Sequence, residues 1–304
     1  MKFLRGGKSG SPYPFRLSDW SLLPPASDGL GAAPARLITR ITRTVTLLTM
    51  LADWLRRPAV IVAAHPDDEV IGMGSLVHRF EDLRAIIHVT DGAPRSGNDF
   101  ANAGVDTWQE YAAKRRVEFQ SAMAEAGISS VRQICLGCPD QEASFRMAEI
   151  GQQLCTAFAE LEPDFVFTHA YEGGHPDHDA TAISVHRAVH SLRSTRIPEP
   201  VILEFASYHA GISGMETGCF LPHLSGETIQ RKLSDEEQVK KRKLFKCYES
   251  QQKVLQYFSL DSEPLRVAPE YDFTKPPHEG RLFYEQFEWG VTGQQWRKLA
   301  AEVR

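Results

Sequence analysis

From Pro58 onward, short apolar runs alternate with helical patterns, and almost every run ends in a polar cluster. PAVIVAA reads as a buried strand and EVIGMGSLVHRF as the helix after it. LRAIIHVTDG is a second strand, followed by the helix WQEYAAKRRVEFQSAMAEAG, which Gly127 closes. VRQICLG is a third strand, and SFRMAEIGQQLCTAFAELEP a helix stopped by Pro163. DFVFTHA is a fourth strand, HPDHDATAISVHRAVHSLR its helix, and VILEFASYHA a fifth strand. Strands that alternate with helices predict an α/β fold: a mainly parallel sheet with helices on both faces. In such sheets ligands bind at the carboxyl ends of the strands. The polar clusters HPDDE, TDG, PDQE and HPDHD fall at those ends.

Two of these clusters share a design. His65-Pro66-Asp67-Asp68 and His175-Pro176-Asp177-His178 each follow a buried strand and open a helix. Proline suits the first helical position, where its missing N–H is not needed. The residue three after each histidine, Asp68 or His178, lies about one helical turn on. One such turn alone reads as a helix cap, because acids are favoured in a first turn. Two copies at strand ends, dense in ligand-type side chains, point to chemistry instead. His65, Asp68 and His178 make an open set for a divalent metal, with coordination left for water. The set accepts zinc or ferrous iron. Asp67, beside a ligand, is placed to act as general base. His175 is placed to polarise a carbonyl or protonate a leaving amine, with Asp177 holding its ring.

Composition narrows the alternatives. The 34 basic and 39 acidic residues give a net charge of −5, so there is no basic footprint for nucleic acid. Five cysteines are too few for a disulfide framework, and Cys135 and Cys138 read as small side chains near a strand end. No secretory signal and no run near the ~20 apolar residues of a membrane span is present, which predicts a cytoplasmic enzyme. Residues 1–57 divide from the α/β domain of 58–304 as an irregular arm and an amphipathic helix. In that helix, residues 34–57, Leu37, Ile41, Val45, Leu48 and Leu55 fall near one face. The face suits packing on the domain; the other reading is a peripheral membrane contact. SDEEQVKKRK (234–243) reads as a solvated helix, and the aromatic, turn-rich YDFTKPPHEGRLFYEQFEWG (271–290) as extra strands or a wall around the site.

AHPDDE with a later HPDH resembles the PIG-L/LmbE-like deacetylases, over roughly residues 58 to 210. The resemblance implies a Rossmann-like fold and zinc-dependent hydrolysis of an N-acyl group, commonly N-acetyl on an amino sugar. It implies His65, Asp68 and His178 as ligands, Asp67 as base, and His175 with Asp177 as the polarising or acid pair. Zinc is the expected ion, with ferrous iron or cobalt as substitutes. Some members carry a tyrosine just before HPDH; here Gly173 and Gly174 stand there, and Tyr171 is the nearest candidate. The glycines suit a mobile loop or close approach of substrate to the backbone. Arg115 and Glu118 match a family pattern: Arg115 either binds a substrate phosphate or hydroxyl, or pairs with Glu118. Asp140 is the acid that contacts sugar hydroxyls in this reading. The expected substrate is a small-molecule or lipid-linked amino sugar. Competing readings are a mononuclear iron-dependent oxygenase and a catalytically idle glycan-binding protein. A dinucleotide-binding module fails because Gly72 and Gly74 lie inside a helix, not in the fingerprint turn.

Overall fold

The computed structural model describes residues 49–96, 99–212, 214–222 and 228–303. Its core is a seven-stranded sheet in the order β3-β2-β1-β4-β5-β9-β8. The strands are β1 (Ala59–Ala63), β2 (Leu83–Pro94), β3 (Gln133–Asp140), β4 (Phe165–His169), β5 (Val201–Phe205), β8 (Thr228–Ile229) and β9 (Leu265–Val267). The first five are parallel, while β9 runs antiparallel to both β5 and β8. β6 (Tyr208–Gly211) and β7 (Gly214–Thr217) form a separate antiparallel hairpin. The stretch expected to be one fifth strand is therefore two, belonging to different sheets. β5 ends at Phe205, and the chain leaves the sheet before Tyr208.

Both faces of the sheet are covered, as alternation along β1 shows. Ala59 and Ile61 belong to one apolar cluster, Val60 and Val62 to the other. The first cluster receives α1, whose described part is residues 49–56, together with α2 (Asp68–Met73), α4 (Trp108–Glu125), α7 (Asp235–Lys246) and the short α8 (Gln252–Leu255), while the single turn α3 (Asp99–Asn102) buries no residue. The second receives α5 (Met147–Leu161), α6 (Pro176–Leu192) and α9 (Gly293–Glu302). Leu51, Trp54 and Leu55 of α1 are buried in the first cluster. Residues 1–48, including most of the expected amphipathic helix, lie outside the described residues. No described helix is long and apolar enough to cross a membrane.

Three elements depart from the sequence reading. The helix after β1 is short: α2 ends at Met73, and a 3₁₀ turn at Val77–Arg79 follows. α7 is not simply solvated. Its Lys241 is buried, donating to the Ile71 carbonyl at 2.7 Å and lying 3.2 Å from the Glu263 carboxylate. The aromatic stretch near the C-terminus adds no strand; it folds as turns and a 3₁₀ helix at Phe283–Gln286.

The order 3-2-1-4-5 places the reversal of strand order between the parallel neighbours β1 and β4. That reversal opens a crevice at the carboxyl ends of two neighbouring strands. The two HPD turns follow those two strands, so residues 110 positions apart in sequence meet there by topology.

Candidate active site

At the crevice, His65 and Asp68 come from the turn after β1, and His175 and His178 from the turn that opens α6. His65 Nδ1 lies 3.2 Å from Asp68 Oδ2, and His178 Nε2 lies 3.2 Å from Asp68 Oδ1. One ligand atom from each of His65, Asp68 and His178 lies within 4.8 Å of the others, and all three residues are buried. A second, overlapping group joins His65 to Asp140, His175 and Asp177. Burial alone would raise the Asp68 carboxyl, but the imidazoles of His178 and His169 hold it well below the usual range. Burial pushes His178 down to about 3, so its ring is a neutral donor atom.

The donor set fits a divalent ion. Asp67, Asp68 and Glu69 are three consecutive buried acids, yet Arg115 is the only arginine or lysine paired with any of them among the described residues. A bound cation offsets repulsion that the protein charges leave in place.

Asp67 has a strained backbone, with φ 140° and ψ −23°. Such a conformation costs roughly 1–3 kcal/mol and persists only where the surroundings enforce it. Arg115 does much of that: its Nη2 donates to the Pro66 carbonyl at 2.6 Å and lies 3.2 Å from Asp67 Oδ2. The Asp67 amide also donates to Glu69 Oε2 at 3.2 Å, and Glu69 is fixed by His88 (3.0 Å) and by the Tyr248 hydroxyl (2.5 Å). Burial pushes the Asp67 carboxyl up to about 8 against the pull of Arg115, and neighbouring Asp68 adds to the rise.

Several expected contacts form differently. The expected Arg115–Glu118 pair is absent, because Glu118 accepts from the Ser250 amide and hydroxyl, both at 2.7 Å. Asp177 does not hold the His175 ring through its carboxylate, which sits 4.0 Å from Nδ1. Its backbone N–H donates to that nitrogen instead, at 3.1 Å. The neutral His175 ring therefore carries its proton on Nε2. The Asp177 carboxylate accepts from the Gln141 amide at 2.6 Å and the Ala143 amide at 3.0 Å, and lies 3.3 Å from His65 Nε2. Asp140 also faces His65 Nε2, at 3.0 Å, while lining the cavity.

Tyr171 is not brought to the site. Its hydroxyl donates to the Lys275 carbonyl at 2.9 Å, and its ring packs among Tyr271, Phe273 and Trp296. The tyrosine in the cavity is Tyr208, whose ring lies 5.3 Å from that of His178. Its hydroxyl has no partner among the described residues. Gly174 explains the exchange: a Cβ there would stand 2.0 Å from the Tyr208 carbonyl oxygen. The glycine serves the approach of this loop to β6, not of substrate to the loop.

Other site residues escaped the sequence reading. His169, the last residue of β4, stacks on His178 at 3.9 Å and lies 3.3 Å from Asp68 Oδ2. Trp289 packs on His175 at 4.4 Å, so the C-terminal stretch does wall the site. His169 and Tyr208 both lie at or just beyond the end of a parallel strand, which was the available signal. Trp289 carried none, because no periodicity places it.

The cavity is about 310 Å³ and opens to solvent between Asp67, Arg115, Asp140, His175, Tyr208 and Trp289. Against this geometry, residues 60–189 match the model of the PIG-L family, described as GlcNAc-PI de-N-acetylase. Over this segment the chain is similar to the PIG-L family. No curated protein matches it. Among solved structures, a deacetylase of the teicoplanin biosynthesis pathway is 16% identical with a TM-score of 0.54, covering 71% of this chain and 99% of its own. The A40926 pseudoaglycone deacetylase is 16% identical, TM-score 0.53, covering 70% and 97%. The N,N'-diacetylchitobiose deacetylase of Pyrococcus horikoshii is 19% identical, TM-score 0.51, covering 74% and 83%. At these identities the likeness is one of fold.

Proposed function

We propose that this chain is a PIG-L-type enzyme that hydrolyses an N-acyl amide, N-acetyl on an amino sugar, using a divalent ion held by His65, Asp68 and His178. The observation that carries the reading is the meeting of the two HPD turns at the switch point, with the Asp67 carboxylate and Arg115 in the same cavity. Zinc fits two imidazoles and a carboxylate. When bound, the ion supplies Lewis acidity and lowers the pKa of water.

The chain's own residues do the rest. Asp67 accepts the proton of the attacking water, and Arg115 keeps its carboxylate aimed. The His175 Nε2–H and the unpartnered Tyr208 hydroxyl donate to the oxygen on which charge develops. Asp177 and Asp140 orient His65 through Nε2, and Asp140 keeps an oxygen for a sugar hydroxyl. The cavity lies near the small end of ligand pockets, so it takes one sugar-sized group while the remainder of the substrate lies outside. The structurally similar deacetylases are named for teicoplanin biosynthesis, the A40926 pseudoaglycone and N,N'-diacetylchitobiose, which supports a small-molecule substrate over a polymer.

The test is release of acetate and free amine from a panel of N-acetylated amino sugars and their conjugates, with metal content measured on the same preparation. Sugar binding by metal-loaded protein with no amine released from any member would sink the reading.

A further inference from the structure

The hairpin that carries Tyr208 holds a second cluster of metal-ligating side chains. β6 and β7 pair with His209 opposite Glu216, so these two side chains share one face. The turn at Gly218, φ +69°, brings Cys219 back to them. Cys219 Sγ lies 3.7 Å from His209 Nε2, and one donor atom from each of His209, Glu216 and Cys219 lies within 4.8 Å of the others.

Two features make this more than proximity. His209 Nδ1 is 3.1 Å from the Ala210 carbonyl, so Nδ1 carries the proton and Nε2 turns its lone pair to the cluster. Metal-binding histidines are oriented in this way. Glu216 folds over Gly211, where a Cβ would come within 2.3 Å of its Cγ and Oε1. Its carboxylate has no ion pair with arginine or lysine among the described residues. A buried imidazole, a half-buried thiol and a free carboxylate thus converge with no protein cation between them.

We propose that His209, Glu216 and Cys219 form a second divalent-metal site, suited to zinc, that pins the β6–β7 hairpin. A thiolate, an imidazole and a carboxylate are zinc ligands, and three of them leave one position for water. On binding, the Cys219 S–H bond gives way to a sulfur–metal bond, and the proton passes to solvent. The site shares no residue with the catalytic set. Tyr208 precedes His209 and points to the opposite side of the strand, toward His178. Occupancy therefore holds the strand that delivers Tyr208 to the catalytic cavity.

The experiment is a cobalt titration of the chelator-treated full chain at micromolar free metal. The catalytic set has no sulfur, so a thiolate-to-cobalt charge-transfer band reports on Cys219. Wild type should take two equivalents and show the band. Asp68→Ala should take one and keep the band. Cys219→Ser and His209→Ala should each lose the band and one equivalent, with circular dichroism unchanged. In the Asp68→Ala background, zinc should raise Tm, and adding Cys219→Ser should abolish that rise. A band that survives Cys219→Ser, or wild-type protein that takes one equivalent with no band, overturns the proposal. Neither readout depends on amide hydrolysis.

Discussion

Asp67 and Asp68 are the same residue type, side by side, yet the geometry separates their work. Asp68 stands among three imidazoles, and Asp67 faces Arg115 and the cavity. Asp68→Ala should lose metal and activity together. Asp67→Asn keeps the shape but not the basic oxygen, so metal should stay while turnover falls by ~10²-fold or more. Metal analysis beside a rate measurement checks both; loss of metal from Asp67→Asn would make that residue a ligand. The tyrosines offer a second contrast. Tyr208→Phe should lower kcat by ~10-fold or more, as expected for a donor used as charge develops. Tyr171→Phe should leave kcat near normal and cost about 1 kcal/mol of stability, for one lost hydrogen bond to Lys275. The opposite ranking would mean that the loop tyrosine swings into the site.

Elements, not single side chains, set how these residues meet. α2 is six residues long, and α7 braces its end through buried Lys241 and Glu263. Glu263 also accepts from Ser75, whose hydroxyl lies at 2.5 Å. Removing Lys241 takes away one of the two cations that face buried Glu263, the other being Arg231 at 3.3 Å. Lys241→Met should destabilise by about 2–4 kcal/mol, and Lys241→Met with Glu263→Gln by less than the sum of the single changes. Denaturant unfolding of the four proteins tests this, and strict additivity would show the pair to be uncoupled. The loop before α6 makes a similar demand. Gly174→Ala drives a methyl into the Tyr208 carbonyl, so it should lower kcat as Tyr208→Phe does while metal content stays intact. Wild-type rates in that variant would show that the approach to β6 is dispensable.

At the scale of the whole molecule, a bound ion is expected to be part of the fold's stability, because three buried acids stand in sequence at the core of the crevice. A ligand that binds only the folded state stabilises it by mass action. Chelated protein should melt below metal-loaded protein. Most of that difference should disappear in Asp68→Ala, and the remainder in Asp68→Ala with Cys219→Ser. Melting curves that ignore metal in wild type would remove the ion from the fold.

The strands, the parallel sheet and the two HPD turns were legible in the chain because each is local. Burial on both faces writes a strand as a continuous apolar run, and the start of α6 writes itself as histidine, proline and acid in order, whereas Pro66 falls before the Asp67 cap of α2 and not at a first helical position. The residue types at the crevice followed from those turns. What joined them was the strand order: β1 and β4 are neighbours only after the chain has crossed to β2 and β3 and returned. Partner choice inside the site was equally nonlocal. Arg115 could reach Glu118 within its helix, but folding puts the Pro66 carbonyl and Asp67 within range and gives Glu118 to Ser250. Tyr171 is nearer to HPDH in sequence than Tyr208 is, yet Tyr208 holds the cavity, because the chain bends out of the sheet after β5 and Gly174 leaves room for its backbone. Sequence alone determined which groups are available and which elements carry them. Only the tertiary structure decided which of them touch, since contact between distant residues depends on how packed elements cross, and no local pattern encodes that.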